Sequence, residues 1–406
     1  MSARRRVLVT NGTTDAGAAA ARSLTAAGFE VITTDLSRGL GVPSRFAAAH
    51  YRLKDDSQEG AATALLELTR RCRPDALLPL GTAAVYAVCR HRDELDAVTA
   101  VNVPMLEAFY AAYVKSVCVA ECQTLGIPCP RSYSFDSAVT ALESGQADVV
   151  VVKPDFDVGA AEGVRYARTV ADLRAAVDGC TSRFGSVLIQ EHIPGGADAM
   201  KTVVLVFAPP PHRRLAAAFT TRKIRHWPPT GGLTAASVST SESALVDLML
   251  PFFEKWQWCG AAAVELKFDM RDGLHKLIEI NPRFPGYLRF AGHCGVDLPL
   301  VAVRLALRDI DSPAPLFSYE AGAAFVSPAL YLRSVLFDLQ QGLPVADALR
   351  AARRELRGTG PLLKAMCVDA APMIGRMVND LLWPRDAAAS LPDACHAAPP
   401  SSRSIA

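Results

Sequence analysis

No Cys-x-x-Cys pair occurs among the 10 cysteines, and neither charge sign dominates: 43 Lys and Arg stand against 41 Asp and Glu, a net charge of +2. No apolar run approaches the roughly 18 to 20 residues of a membrane span, so stable membrane insertion is not expected. Unpaired cysteine spacings argue against a disulfide framework, and reduced thiols in the cytoplasm are the expectation. Cys118 and Cys122 stand one helical turn apart but lack a nearby His or second Cys pair, and read as structural. Without a dense basic block, nucleic acid is not an expected partner. Arg4-Arg5-Arg6 before Val7-Leu8-Val9 mimics a secretory leader, yet the apolar run stops at Asn11-Gly12. At 406 residues the chain is too long for one ordinary core, and two or three domains are expected.

The densest chemistry lies between Gly260 and Gly295. Alternating segments flank Asp272-Gly273, which predicts a β-hairpin. Glu265 leaves the first strand, and Glu279 and Asn281 stand two apart on the second, hence on one face of the sheet. Two carboxylates and an amide carbonyl suit Mg²⁺, with waters and phosphate oxygens completing the octahedron. Arg283 follows on the same face, offering a planar fork for a phosphate or carboxylate. On these residues alone, a half-exposed hairpin whose polar face meets water remains the alternative.

Ile278-Glu279-Ile280-Asn281-Pro282-Arg283-Phe284, with Glu265 one hairpin upstream, resembles the metal-binding end of the ATP-grasp superfamily, mostly carboxylate-amine or carboxylate-thiol ligases. The resemblance implies that Glu265, Glu279 and Asn281 hold Mg²⁺, with Mn²⁺ as a second candidate, and that Arg283 braces the transferred phosphoryl group or acyl phosphate. Companion motifs stand upstream in the family's order. Tyr113-Val114-Lys115-Ser116, a helix and Leu125-Gly126-Ile127-Pro128-Cys129-Pro130 are similar to the entry of its first nucleotide-binding subdomain, where Lys115 would reach the α-phosphate. Asp148 to Val152 reads as a buried strand delivering Lys153-Pro154, followed by a loop containing Gly159 and Gly163. In the family this pair binds the α- and β-phosphates of ATP; Ala160 and Ala161 stand where serines are common, leaving the contact to backbone donors.

Ser186 to Ile189 runs into Gln190-Glu191-His192-Ile193-Pro194-Gly195-Gly196-Ala197-Asp198, which is close to the family's adenine hinge. By resemblance, the backbone around Gln190, Glu191 and Ile193 meets adenine and Asp198 accepts from the ribose. Thr221 to Gly232 reads as a flexible basic loop over an acidic substrate or the developing acyl phosphate, with Lys223 and Arg225 as catalytic candidates; a solvated edge loop is the plain alternative.

The expected fold class is α/β: an ATP-grasp fold preceded by a doubly wound N-terminal domain and followed by a helical C-terminal section. Expected divisions are 1–110, a small subdomain 111–185 with the lysines and glycine loop, a large subdomain 186–312 with hinge and metal site, helices 313–385 and a disordered tail 386–406. Val7 to Thr10, Ala16 to Ala27 and Phe29 to Thr34 read as β-α-β, with Thr82 to Asp96 as a later helix. Gly12, Gly17 and Asp35 partially match a dinucleotide fingerprint, though spaced Gly-x-x-x-x-Gly. Leu362 to Trp383 reads as core-facing helices, with a membrane surface as the alternative.

The resemblance implies an ATP-dependent ligase joining a small carboxylate to an amine, an amino acid or peptide among them, through an acyl phosphate with release of ADP and phosphate. Alternatives are a silent or sensory ATP-binding module, an ATP-dependent carboxylase, and a nicotinamide-dependent oxidoreductase built on the N-terminal unit. A homodimer is a candidate assembly, since exposed doubly wound domains often pair.

Overall fold

The computed structural model describes residues 4–36, 41–53, 58–157, 162–229, 231–309, 316–372 and 374. The expected tail 386–406, the Pro313 to Pro315 boundary and Gly159 lie outside these residues. The first unit comprises β1 (Arg6–Thr10), α1 (Asp15–Ala26), β2 (Glu30–Asp35), β3 (Ala49–Arg52), α2 (Gln58–Cys72), β4 (Ala76–Leu78), α3 (Thr82–Arg90) and α4 (Arg92–Asp96). Its sheet is parallel in the order β3-β2-β1-β4. The Thr14 hydroxyl accepts from the Gly17 amide and caps α1. Gly12 and Gly17 have a steric role: a Cβ on Gly17 would stand 2.2 Å from the Asn11 carbonyl oxygen, and one on Gly12 2.5 Å from Thr33 Cβ. The single helix expected over Thr82 to Asp96 is broken at His91.

Next come α5 (Leu106–Tyr113), α6 (Lys115–Thr124), β5 (Ser132–Tyr133), α7 (Phe135–Glu143), β6 (Val150–Pro154), β7 (Arg165–Ala167), α8 (Val170–Phe184) and β8 (Val187–Glu191). The four strands form an antiparallel sheet ordered β5-β8-β6-β7. A Thr169–Asp172 capping box starts α8, which buries Leu173, Cys180 and Phe184.

The third sheet is larger. It contains β9 (Met200–Phe207), β10 (Leu215–Trp227), β11 (Leu233–Thr240), then after α9 (Ser243–Lys255) the hairpin β12 (Gly260–Asp269) and β13 (Leu274–Asn281). After α10 (Leu288–His293) and α11 (Leu298–Ala306), β14 (Ala324–Val326) completes it, and α12 (Pro328–Gln340), α13 (Val345–Glu355) and α14 (Gly360–Cys367) follow. The order is β13-β12-β9-β10-β11-β14. Val7 and Leu24 of the first unit share one buried cluster with Phe219, Phe290 and Phe325, so the parallel sheet is welded to the large one. Leu362 and Met366 of α14 are buried, core-facing as expected for this part of the segment.

The basic stretch after Thr221 is strand, not loop. β10 continues through Trp227 because β11 pairs with it along its length, Thr221 opposite Ser239, Lys223 opposite Ser237 and Trp227 opposite Leu233. The prolines and glycines at 228–232 close that hairpin. Arg225, expected to cover a substrate, is instead held by Asp338 of α12 and Glu355 of α13, both at 2.5 Å, with its guanidinium over the Tyr331 ring. Two carboxylates delivered by packed helices commit the fork, and burial is outweighed by these partners, which raise the Arg225 pKa. Arg225→Met leaves both acids facing an apolar chain and is expected to cost about 2–3 kcal/mol in denaturant unfolding.

Candidate active site

Lys153 is the last residue but one of β6; it is buried, and its Nζ donates to the Ile278 carbonyl of β13 at 3.2 Å. Lys115 opens α6, is also buried, and its Nζ lies 3.5 Å from Glu279 Oε2. Asp155 fixes that helix start by accepting from the Ser116 amide at 2.7 Å and hydroxyl at 2.6 Å. Two cations, one from α6 and one from β6, thus meet the β12–β13 hairpin of the large sheet.

On that hairpin Glu265 stands opposite Glu279, and Ala263 opposite Asn281. The Thr202 hydroxyl donates to Glu265 Oε1 at 3.1 Å, and Lys223 Nζ lies 2.7 Å from Oε2. Asn281 Nδ2 donates to Glu279 Oε1 at 2.9 Å, while its Oδ1 accepts from Arg283 at 3.3 Å. Arg283 further binds the Asp157 carboxylate at 3.1 Å and the Thr82 hydroxyl at 2.8 Å. Each carboxylate of the facing pair therefore has its own lysine.

Among the described residues no three His, Cys, Asp or Glu side chains gather as a self-sufficient metal site. The donor set of Glu265, Glu279 and the Asn281 carbonyl fits Mg²⁺ only as the ion is used with phosphates: one or two carboxylates, the remaining positions filled by phosphate oxygens and water. Nearby Lys115, Lys153 and Arg283 suit that polyanion.

These residues open onto one cleft of about 1150 Å³. At one end it is lined by Val151, Tyr166, Gln190, His192 and Ile193. Gln190 is buried, and its side-chain amide donates to the Pro130 carbonyl at 3.3 Å. The Glu191 amide already donates to Arg131 at 2.8 Å, and its carboxylate binds Arg271 at 2.9 Å and Lys276 at 3.0 Å. Asp198 sits on the short turn Ala197–Ala199, within electrostatic reach of Lys267, whose pKa burial lowers. Gly163 takes φ +78° and is closely packed, since a Cβ there would come within 2.6 Å of Pro154 and 2.7 Å of Phe184.

Sequence reasoning missed Asp155 and Asp157, two carboxylates directly after Lys153-Pro154 whose partners are remote in the chain. It also missed Tyr166, which meets His192 edge-on at 5.5 Å.

Burial, helped by the neighbouring Lys115, lowers the Lys153 pKa to about 8 from 10.5. A bound polyphosphate favours the charged form, so nucleotide binding above pH 8 is expected to be accompanied by proton uptake. Calorimetry in buffers of different ionisation enthalpy reads this directly.

A parallel N-terminal sheet, a small antiparallel sheet and a large sheet ending in a carboxylate hairpin, with the cleft between the last two, constitute the ATP-grasp fold. A biotin carboxylase from Campylobacter jejuni, solved as a β-γ-ATP complex, shares it with a TM-score of 0.64 at 16% identity, over 79% of this chain and 74% of that one. An N5-carboxyaminoimidazole synthetase from Staphylococcus aureus, complexed with ADP, gives 0.60 at 14% identity over 79% and 80%. An L-amino acid ligase from Bacillus licheniformis gives 0.56 at 14% over 76% and 75%. No protein-family model and no curated protein matches the sequence. Among the described residues no helix is long and apolar enough to cross a membrane.

Proposed function

We propose that the chain is an ATP-dependent carboxylate-amine ligase. The observation that carries this reading is the Glu265–Glu279 pair, each acid countered by a lysine, facing a cleft that also holds Lys153 and Arg283. Adenine would lie against Val151, Gln190 and Ile193, with Lys115 and Lys153 on the phosphates. Glu265, Glu279 and Asn281 would hold Mg²⁺, which would neutralise phosphate charge when bound. Arg283 orients the substrate carboxylate, whose oxygen attacks the γ-phosphorus in line as the bond to ADP breaks; Lys223 and Arg283 stabilise the spreading charge. The amine nitrogen then attacks the acyl carbon. Phosphate leaves with the C–O bonding electrons, and the amine proton passes to phosphate or water.

A second reading, ATP-dependent carboxylation, is supported by the fold likeness to two enzymes whose names denote carboxylation. The two part on one assay: ADP release requiring an organic acid and an amine in bicarbonate-free buffer supports the ligase, whereas ADP release that needs only bicarbonate supports the carboxylase.

A further inference from the structure

One row of polar side chains crosses the large sheet beneath the cleft. Thr221 of β10 stands opposite Thr202 of β9, Thr202 opposite Glu265 of β12, and Glu265 opposite Glu279 of β13. Residues directly opposed on neighbouring strands share a face of the sheet, so two hydroxyls run sideways into the two carboxylates. Burial makes this order consequential, because Thr202 and Thr221 are both removed from water, where an unpaired hydroxyl is costly.

Tyr287, from the segment between β13 and α10, completes the row. It is buried, its hydroxyl lies 3.4 Å from the Thr221 hydroxyl, and it also hydrogen-bonds with Thr202. The protons in this chain have one consistent arrangement. A carboxylate only accepts, so the Thr202 hydroxyl donates to Glu265 Oε1, at 3.1 Å. The Thr202 oxygen is then left to accept from Tyr287, and Tyr287 accepts in turn from Thr221. The second oxygen of Glu265 stands differently. Oε2 is buried and accepts no hydrogen bond among the described residues, with the Lys223 ammonium 2.7 Å away as an ion pair.

Resting on the metal assignment in the ligase reading above, we infer that Thr202 and Tyr287 are positioning residues for Glu265. Their chain ties Oε1 to the sheet and leaves Oε2 as the oxygen presented to the cation, at the place Lys223 holds in the metal-free protein. Both act through Glu265. A carboxylate tied by one oxygen has its torsion set before the cation arrives, so less ordering accompanies binding.

The test uses the full chain with ADP and Mn²⁺, the bound ion being counted from the loss of the free Mn²⁺ signal in electron paramagnetic resonance, so no turnover is required. Thr202→Val keeps the shape of the side chain without its donor, and is expected to weaken Mn²⁺ binding in the ADP complex by about tenfold or more. Thr202→Ser restores most of the affinity. Tyr287→Phe removes a single oxygen, weakens binding less, and carries the test if Thr202→Val does not fold. The double variant is expected to match Thr202→Val alone, because the phenol acts only through the Thr202 hydroxyl. A purely structural role lowers the melting temperature and leaves the Mn²⁺ affinity of the folded variants in place. Unchanged affinity in folded Thr202→Val, or in Tyr287→Phe if that variant alone folds, therefore overturns the positioning role. Single effects that multiply in the double variant overturn the link from Tyr287. Glu279→Gln is the control for the metal assignment: if it binds Mn²⁺ as tightly as the unaltered protein, that assignment falls and this inference with it. A Thr202→Val loss of Mn²⁺ affinity, alongside no hydroxamate from any acid, upholds the positioning role and removes only the ligase chemistry.

Discussion

Glu279→Gln is expected to lower Mg²⁺-dependent ADP release by about a thousandfold, roughly 4 kcal/mol of transition-state stabilisation. The change keeps side-chain size and an acceptor for Asn281 Nδ2, so the hairpin is left intact while one of the two carboxylate charges disappears. Two effects then add. On the proposed assignment, Mg²⁺ would lose one of its two carboxylate ligands. Lys115, 3.5 Å from Glu279 and buried, loses its counter-ion and competes for the same phosphate oxygens. A thermal melt like that of the unaltered protein, together with lost turnover, is the expected pair of results. Turnover within tenfold of normal speaks against a metal role for this carboxylate.

Lys153→Met is expected to move two quantities in opposite directions. Nucleotide affinity falls by about a hundredfold, because a buried ammonium facing phosphate is worth about 3 kcal/mol. The nucleotide-free protein meanwhile gains stability. The Lys153 pKa is depressed to about 8 in the folded chain against 10.5 as a free side chain. Below pH 8 the group is charged in both states, and the folded state carries the full cost of burying that charge. The cost fades as pH rises from about 8 to 10.5 and is gone above. Replacement by Met removes it, for a gain of about 1–3 kcal/mol at pH 7, less the lost bond to the Ile278 carbonyl. Denaturant unfolding at pH 7 and pH 10 measures both the gain and its decline. A variant that is less stable at pH 7 and binds nucleotide normally removes Lys153 from the phosphate site. The proton uptake described above should also vanish in this variant.

What was legible in the sequence was what is local. Glu265, Glu279 and Asn281 fall on one face because strand periodicity and a two-residue turn signal lie within a few residues of them. The valine run before Lys153 likewise announces a buried strand with a cation at its end. The basic stretch after Thr221 was misread for an equally local reason. Prolines, glycines and charges in sequence are turn and loop signals, whereas strand continuity through Trp227 is dictated by pairing with β11 and by helices far along the chain. Arg225 finds its partners 113 and 130 residues away. Asp157 meets Arg283 across 126 residues, and no pattern near either predicts the other. Gly163 shows the same limit: its neighbours decide that it permits close packing against Pro154 and Phe184, a contact invisible to composition. The part of the cleft lined by Asp15, Tyr287, Leu330 and Met366 was not legible either, since those residues come from α1, the segment after the hairpin, α12 and α14.

The most direct test of the ligase account is ADP release from Mg-ATP with hydroxylamine present, across a panel of amino acids, small carboxylic acids and dipeptides, with Glu279→Gln as control. The account predicts that at least one acid yields ADP and its hydroxamate in equal amounts, and that both vanish in the control. ADP released without hydroxamate for every acid, or hydroxamate formed equally well by the control, contradicts it.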